Sequence, residues 1–172
     1  NHNLSILNWN VRGLNCPNRR ATIRETIAAT PCHIICIQES KMADIDQFVV
    51  SSLGGLRHGS FAHRPASGTR GGILILWDDD AVKLANIHFG QFTLSADVQL
   101  ANSDVMFKLT TVYGPTRSNL KDIFFQELIS EKPNAGCMWL VLGDFNQIYR
   151  ARDKNRANAN RSRIVRFRNT LN

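Results

Sequence analysis

Five polar side chains follow apolar, strand-like runs at the points where those runs end. They are Asn10, Glu39, Tyr113, Asp144 and Asn146. Taken singly, each is typical of a turn, a solvated strand end or ordinary packing. Taken together they offer a coherent chemistry. A carboxylate oxygen suits Mg²⁺, which prefers hard ligands, and a second carboxylate can orient or deprotonate an attacking water molecule. Amides and a phenol can donate hydrogen bonds to phosphate oxygens as charge develops on them.

Five short motifs around these residues occur in a fixed order. They are Ile6–Asn15, Ile37–Lys41, Gly71–Ile75, Val112–Pro115 and Leu142–Asn146. In order and spacing they resemble the endonuclease/exonuclease/phosphatase superfamily, and in particular the endonuclease domain of plant LINE-type (non-LTR) retrotransposons, relatives of the apurinic/apyrimidinic endonucleases. The resemblance runs from Leu4 to the Arg-rich end. It implies a four-layered α/β sandwich of two packed, mixed β-sheets with outer helices and an active site at one sheet edge.

The resemblance also implies a role for each of the five residues. Glu39 matches the metal-binding glutamate, Asp144 the aspartate that handles the attacking water, and Asn146 the asparagine that contacts the scissile phosphate. Asn10 matches the asparagine that positions these groups, and Tyr113 the tyrosine that reaches a phosphate oxygen. The implied reaction is Mg²⁺-dependent hydrolysis of a DNA phosphodiester. In a retroelement such a nick supplies the 3′-hydroxyl that primes reverse transcription, so a reverse transcriptase domain is an expected partner and the nucleus the expected location.

The sequence departs from the family pattern at two places. Arg12 stands where the DNA-repair enzymes of the family carry an aspartate. We therefore do not expect this chain to repair abasic sites. The family also completes its site with a downstream Asp-His pair, whereas all five histidines of this chain precede Asp144. We therefore expect a domain that is incomplete at its C-terminus, with its last strands missing and with weak or no activity. Two alternatives stay open: a non-catalytic retroelement remnant that at most binds nucleic acid, and a phosphomonoesterase or sphingomyelinase of the same superfamily.

The positive charge of the chain is concentrated at its end. The net charge is +7, from 21 basic and 14 acidic residues, and residues 150–172 contain eight of the basic residues and only one acidic residue. Clustered Lys and Arg gain affinity for polyanions by releasing counterions from phosphates. A solvated helix face would give the same pattern. The predicted contacts to DNA phosphates are Arg161, Arg163, Arg166 and Arg168.

The hydrophobic pattern predicts both helices and strands. Closely spaced central strands leave no room for crossover helices, which favours two packed sheets over a doubly wound parallel sheet. The predicted helices are Arg19–Ala29 capped by Asn18, Asp44–Leu53, Asn119–Glu131 capped by Ser118 with Leu120, Ile123, Phe124 and Leu128 on one face, and a last helix from Ser162 with Ile164, Val165, Phe167 and Leu171 on its apolar side. The predicted strands are Leu4–Trp9, Ile34–Gln38, Ile73–Trp77, Val82–Phe89, Phe92–Leu100, Val105–Tyr113 and Met138–Leu142.

The length and composition are those of one folded domain. The 172 residues, 43% hydrophobic and 20% charged, exclude a disordered or collagen-like chain, and no internal linker divides residues 1–172. No apolar run is long enough for a membrane span, and no secretory signal is visible. Cys32 and Cys36, four residues apart on a predicted strand, are too far apart to bridge. We therefore expect reduced cysteines and an intracellular protein.

Overall fold

The computed structural model describes residues 3–68, 71–147 and 161–171, which form two four-stranded β-sheets flanked by helices. The bounds of the elements, in chain order, are β1 Ile6–Asn10, α1 Pro17–Ala29, β2 Ile34–Gln38, α2 Gln47–Gly54, β3 Ser60–Arg64, β4 Ile73–Trp77, β5 Val82–Phe89, β6 Thr93–Leu100, β7 Met106–Tyr113, a 3₁₀ turn Ser118–Leu120, α3 Lys121–Glu131, β8 Trp139–Asp144 and α4 Arg161–Leu171.

Both sheets are mixed. The first has the strand order β1-β2-β4-β3, with β1 parallel to β2 and the other pairs antiparallel. The second has the order β5-β6-β7-β8, with β8 parallel to β7 and the other pairs antiparallel. The short hairpin connections between β5, β6 and β7 account for their antiparallel pairing, because a parallel pair needs a long crossover.

Three apolar clusters hold four layers together. One packs α1 and α2 on the outer face of the first sheet, and it includes the buried residues Ile23 and Ile27 of α1. A second lies between the two sheets, and a third packs α3 and α4 on the second sheet. The four-layered sandwich with outer helices is therefore confirmed.

The parallel pairs bring the predicted site residues to one edge. Asn10 pairs with Gln38 at the ends of β1 and β2, so Glu39 follows directly beside it. In the second sheet Tyr113 pairs with Asp144 at the ends of β7 and β8. Since β1 and β8 also contact each other between the sheets, the two pairs of strand ends meet at one place.

Several element predictions are wrong in detail. Asn18 does not cap α1, which begins at Pro17 after Cys16, because proline fits the first helical turn, where its missing N–H costs nothing. Ser118 does not cap α3, because a 3₁₀ turn precedes that helix. The second helix begins after Asp46, whose carboxylate accepts a bond from the Val49 amide. The strand β3 was not predicted.

Two predicted core positions and one predicted strand are more exposed than the hydrophobic pattern indicated. Ile123 is 51% exposed because Phe125, not Ile123, faces the sheet beside Phe124. Val165 of α4 is also exposed, whereas Phe167 is buried. The strand β8 is only half-buried, because within the described part of the chain it pairs with β7 on one side and with no strand on the other.

Two further findings bear on the sequence analysis. The four cysteines are unbridged, with Cys32 and Cys36 buried, as the strand geometry predicted. No helix within the described ranges is long and apolar enough to cross a membrane.

Candidate active site

The centre of the site is a hydrogen bond between the two sheets. The side-chain amide of Asn10 donates to the Asp144 carboxylate, with Nδ2 and Oδ2 2.8 Å apart. The backbone amide of Arg12 donates to Asn10 Oδ1 at 3.2 Å, which turns the amide nitrogen of Asn10 toward Asp144. Arg12 contributes its backbone here, while its side chain is exposed. The orientation of Asp144 is thus fixed from the opposite sheet.

Asn146 is held in a left-handed turn directly after β8. Its φ angle is 45°, a region that asparagine tolerates better than most residues. Its backbone amide donates to Asp144 Oδ1 at 3.0 Å, and its side-chain amide donates to the Gly114 carbonyl oxygen at 2.7 Å. These bonds place the side chains of Asp144 and Asn146 in one cleft, as predicted.

Glu39 and Tyr113 lie together on the other side of this edge. The Glu39 carboxylate is 3.1 Å from Lys41 Nζ, and Glu39 and Tyr113 line one cavity of about 510 Å³. Burial raises the pKa of Tyr113, and the negative charges of Glu39 and Asp144 raise it further. The phenol therefore stays protonated as a donor. Tyr113 lines this cavity with Glu39 and pairs with Asp144 across β7 and β8, so both carboxylates lie at the same sheet edge.

Two glycines allow the ends of β7 and β8 to approach. A Cβ atom on Gly143, whose φ is 134°, would overlap the Val112 carbonyl oxygen. A Cβ atom on Gly114 would overlap the Phe145 carbonyl oxygen in the same way. Any larger residue would push the Tyr113 strand end away from Asp144.

A cavity of about 700 Å³ opens over Asp144, and its positively charged lining includes a residue that the sequence analysis missed. Lys121, at the start of α3, is only 4% exposed, and its Nζ donates to the Asn146 carbonyl oxygen. Burial and the nearby charge of Arg163 lower the pKa of Lys121 to about 8, against the opposite effect of Asp144. A lone lysine at a helix start carries no sequence signal that marks it as part of a site.

Gln38 forms the floor of the same cavity and was also missed. It is fully buried, and its Nε2 donates to Asn8 Oδ1 at 2.7 Å and to Thr111 Oγ1 at 3.1 Å. Its Oε1 has no hydrogen-bond partner among the described residues. A buried acceptor without a partner is costly, so a donor in the cavity would stabilise it.

Among the described side chains of the Arg-rich helix α4, Arg163 is the arginine that lines this site, in the cavity over Asp144. Arg166 instead pairs with Asp122 of α3 at 2.8 Å, and Arg168 is exposed. Phe167 anchors α4, because its ring lies 5.7 Å from Phe125 and 5.2 Å from Phe145. The side chain of Arg161 lies outside the described part of the structure.

The donor set at this edge suits a hard cation. Mg²⁺ is bound in proteins through one or two carboxylates and keeps waters for substrate phosphate, so Glu39 alone offers a suitable ligand. Within the described ranges no group of three or more His, Cys, Asp or Glu residues clusters in a metal-binding arrangement. A single carboxylate ligand is compatible with Mg²⁺, which keeps several of its waters, whereas a zinc centre needs three or four protein ligands.

The sequence was compared with family models and with characterised proteins. The sequence model of the Endonuclease/Exonuclease/phosphatase family matches residues 7–171. No characterised protein sequence gives a significant match.

Solved structures show the same fold at low sequence identity. The AP endonuclease LMAP from Leishmania major has a TM-score of 0.75 at 15% identity, with 98% of this chain and 66% of that chain covered. The catalytic domain of Xenopus laevis APE2 has a TM-score of 0.72 at 17% identity, over 98% of this chain and 66% of that one. TDP2 from D. rerio, complexed with a single-stranded DNA product, has a TM-score of 0.63 at 19% identity, over 86% and 62%. The chain thus spans just under two thirds of the length of these structures.

Proposed function

This chain belongs to the Endonuclease/Exonuclease/phosphatase family, and we propose that it is the endonuclease-type domain of a LINE-like retroelement, which hydrolyses a DNA phosphodiester with Mg²⁺. The observation that carries the proposal is the bond between Asn10 and Asp144, which fixes a carboxylate over a cavity lined by Lys121 and Arg163. A fixed carboxylate beside cationic side chains suits the attack of water on an anionic phosphoryl group.

Asp144 orients and deprotonates the attacking water. Its two oxygens accept bonds from Asn10 Nδ2 and from the Asn146 backbone amide. Each carboxylate oxygen has a second lone pair, so Asp144 can still accept a hydrogen bond from water. The two protein donors hold the carboxylate at a fixed angle, which reduces the entropy lost on reaching the transition state.

The phosphate oxygens are bound by donors on both sides of Asp144. Asn146 has one amide hydrogen beyond the one it gives to Gly114, and the protonated phenol of Tyr113 offers its hydroxyl. Lys121 and Arg163 add positive charge in the cavity. These groups stabilise the negative charge that grows on the phosphoryl oxygens in the transition state.

Glu39 would hold the metal, with Tyr113 and Lys41 beside it. Mg²⁺ held there would supply Lewis-acid chemistry that neutralises negative charge on a phosphoryl oxygen. Lys41 pairs with Oε1 of Glu39, so the cation would compete with this lysine for the negative charge of the carboxylate.

We propose slow hydrolysis. The leaving oxygen needs a proton. None of the described histidines lines the cavity over Asp144 or the cavity that Glu39 and Tyr113 line. Lys121 has a lowered pKa, but its Nζ is directed to the Asn146 carbonyl oxygen by one of its three hydrogens, so it is a poorly oriented proton donor for the leaving oxygen.

The retroelement setting rests on the resemblance of the sequence motifs. There the nick would supply a 3′-hydroxyl for a reverse transcriptase domain, and the substrate would be chromosomal DNA in the nucleus. The phosphomonoesterase alternative predicts release of phosphate from small esters, and the non-catalytic alternative predicts DNA binding without cleavage.

Nicking of supercoiled plasmid in Mg²⁺ tests the proposal. We expect slow conversion to open circles that stops with EDTA and with Glu39→Ala but continues with Glu25→Ala, an exposed carboxylate on α1. Phosphate release from inositol phosphates without nicking would favour the phosphomonoesterase. DNA binding with no metal-dependent nicking would favour the remnant.

A further inference from the structure

The amine of Lys121 lies in an unusual setting in the cavity over Asp144. The residue lines the cavity although it is only 4% exposed. Its Nζ donates to the Asn146 carbonyl oxygen, and none of the ion pairs among the described residues includes it. The amine is therefore removed from water without a directly paired carboxylate.

The surroundings of Lys121 favour its uncharged form. Burial and the positive charge of Arg163 lower its pKa to about 8, although Asp144 acts in the opposite direction. Desolvation and a neighbouring cation are two conditions that turn a protein lysine into a nucleophile near neutral pH. Near pH 7.5 such an amine has roughly 10²-fold more of its neutral form than an ordinary lysine. A neutral amine that keeps one hydrogen on the Asn146 oxygen still has its lone pair for a bond to carbon.

Lysines elsewhere in the described structure lack this setting. Lys41 and Lys108 are each paired with a carboxylate, at 3.1 and 3.0 Å. Lys83 and Lys132 are exposed to solvent. Among the described lysines, Lys121 alone combines burial, a neighbouring cation and a place in a cavity.

The same cavity offers groups that bind a phosphate. Arg163 lines it, and the Asn146 side-chain amide has a hydrogen beyond the one that it gives to Gly114. A cavity volume of about 700 Å³ is in the range of small-molecule sites and can hold a sugar phosphate or a nucleotide. A ligand with a phosphate on Arg163 and an electrophilic carbon at Lys121 would use both features.

We propose that Lys121 forms a Schiff base with an aldehyde that carries a phosphate group. The opened sugar of an abasic nucleotide has this chemistry within a nucleic acid strand, and a sugar phosphate has it as a small molecule. The inference goes beyond the proposed hydrolysis and does not depend on it.

The step balances with the two reactants alone. The amine adds to the carbonyl carbon, and the carbonyl oxygen leaves as water with the two amine hydrogens when the C=N bond forms. Asp144 lines the same cavity, so it can accept the proton that nitrogen loses and return it to the departing oxygen. The reaction needs no metal ion and no redox partner, and addition of water reverses it.

Reductive trapping tests the inference. Sodium cyanoborohydride converts the imine into a stable secondary amine, which peptide mapping by mass spectrometry assigns to one lysine. The probes are pyridoxal 5′-phosphate, pyridoxal as its phosphate-free control, and a short DNA strand with or without one abasic site, all in EDTA. The variants are Lys121→Arg, which keeps the charge without a nucleophilic amine, and Lys132→Arg as the matched control directly after α3.

We expect the wild type to be trapped at Lys121 roughly 10²-fold faster than at Lys132 near pH 7.5, because far more of its amine is neutral. The rate at Lys121 should rise with pH and level off above about 8, where the amine is already deprotonated. Lys121→Arg should lose this adduct and Lys132→Arg should keep it. Pyridoxal should react roughly tenfold more slowly than its phosphate, since it lacks the charged contact to Arg163.

Equal trapping at Lys121 and Lys132 would overturn the inference, as would pyridoxal that reacts as fast as its phosphate. Mapping of the wild-type chain needs no variant, so poor folding of Lys121→Arg cannot hide either result. Thermal unfolding checks the folding of both variants.

The probes also separate the two sources of the aldehyde. Trapping of the abasic strand assigns the site to nucleic acid, and trapping of pyridoxal 5′-phosphate alone assigns it to small phosphorylated aldehydes. Trapping at Lys121 in a chain that does not nick plasmid would keep this inference and reject the proposed function. Metal-dependent nicking without trapping would do the reverse.

Discussion

Asn10 donates a hydrogen bond of 2.8 Å to Asp144, a residue 134 positions later in the chain and at the end of a strand in the other sheet. The bond joins the end of β1 in the first sheet to the end of β8 in the second sheet. Two other predicted site residues contact Asp144: Asn146 bonds to it, and Tyr113 pairs with it across β7 and β8.

Replacing either member of this pair should slow nicking. We expect Asp144→Asn to lower the rate by roughly 10² to 10⁴, because a general base is lost. Asn10→Ala should cost about tenfold, since it removes one bond to a charged group. The double variant should be no slower than Asp144→Asn, because Asn10 acts through Asp144. Single-turnover nicking rates check this, and effects that multiply would show that Asn10 acts independently.

Removing the carboxylate of Glu39 should abolish divalent-cation binding. Titration calorimetry with Mg²⁺ should show binding to the wild type and none to Glu39→Gln, while Glu25→Gln on α1 should bind as the wild type does. Lys41→Met should tighten Mg²⁺ binding, because Lys41 now pairs with Glu39 at 3.1 Å. Unchanged affinity in Glu39→Gln would place the metal elsewhere.

The arginines of α4 should contribute unequally to DNA binding. Replacing Arg161, Arg163, Arg166 and Arg168 together by Gln should flatten the salt dependence of affinity, by roughly one unit of slope for each phosphate that is no longer neutralised. Among single variants, Arg163→Gln should have a larger effect than Arg166→Gln. Arg163 lines the cavity, whereas Arg166 pairs with Asp122. A slope unchanged in the fourfold variant would show that DNA is held elsewhere.

DNA affinity should fall as the pH rises through about 8, the lowered pKa of Lys121. Below this pH the ammonium group is charged and attracts phosphate; above it the amine is neutral, so the attraction is lost. Lys121→Met should bind weakly with no such step, and Lys121→Arg should keep its affinity to higher pH because a guanidinium stays protonated. Anisotropy between pH 6.5 and 9.5 measures this, and a step that persists in Lys121→Met would assign it to another group.

The exposed edge of β8 should promote self-association. Leu140 is 38% exposed on the outermost strand of the second sheet in the described structure, and unprotected edges pair with other chains. Leu140→Lys should reduce aggregation without loss of folding, because a charge on an edge strand opposes such pairing. Light scattering and circular dichroism test this against Leu140→Ile, and equal aggregation of both variants would exclude the edge as its cause.

The sequence alone determined most of the elements and the site residues at the strand ends. Ile34–Gln38, Ile73–Trp77 and Val82–Phe89 were predicted with their observed bounds, because short β-branched and apolar runs between turn residues leave few alternatives to a strand. Asn10, Glu39, Tyr113, Asp144 and Asn146 were found because each follows such a run. The roles assigned to them stay predictions, as does the extent of the domain over residues 1–172.

Only the tertiary structure decided which side chains complete the site and which face the core. Lys121 and Gln38 line the cavity because α3 and β2 place them next to the end of β8. No local sequence pattern predicts that these three elements lie side by side. Phe125 rather than Ile123 is buried because the angle at which α3 packs on its sheet selects the inward face. Arg163 and Arg166 have the same side chain in the same helix. Arg163 lines the cavity and Arg166 pairs with Asp122 because Phe167 packs α4 against Phe125 and Phe145. Sequence periodicity cannot specify such packing between distant segments.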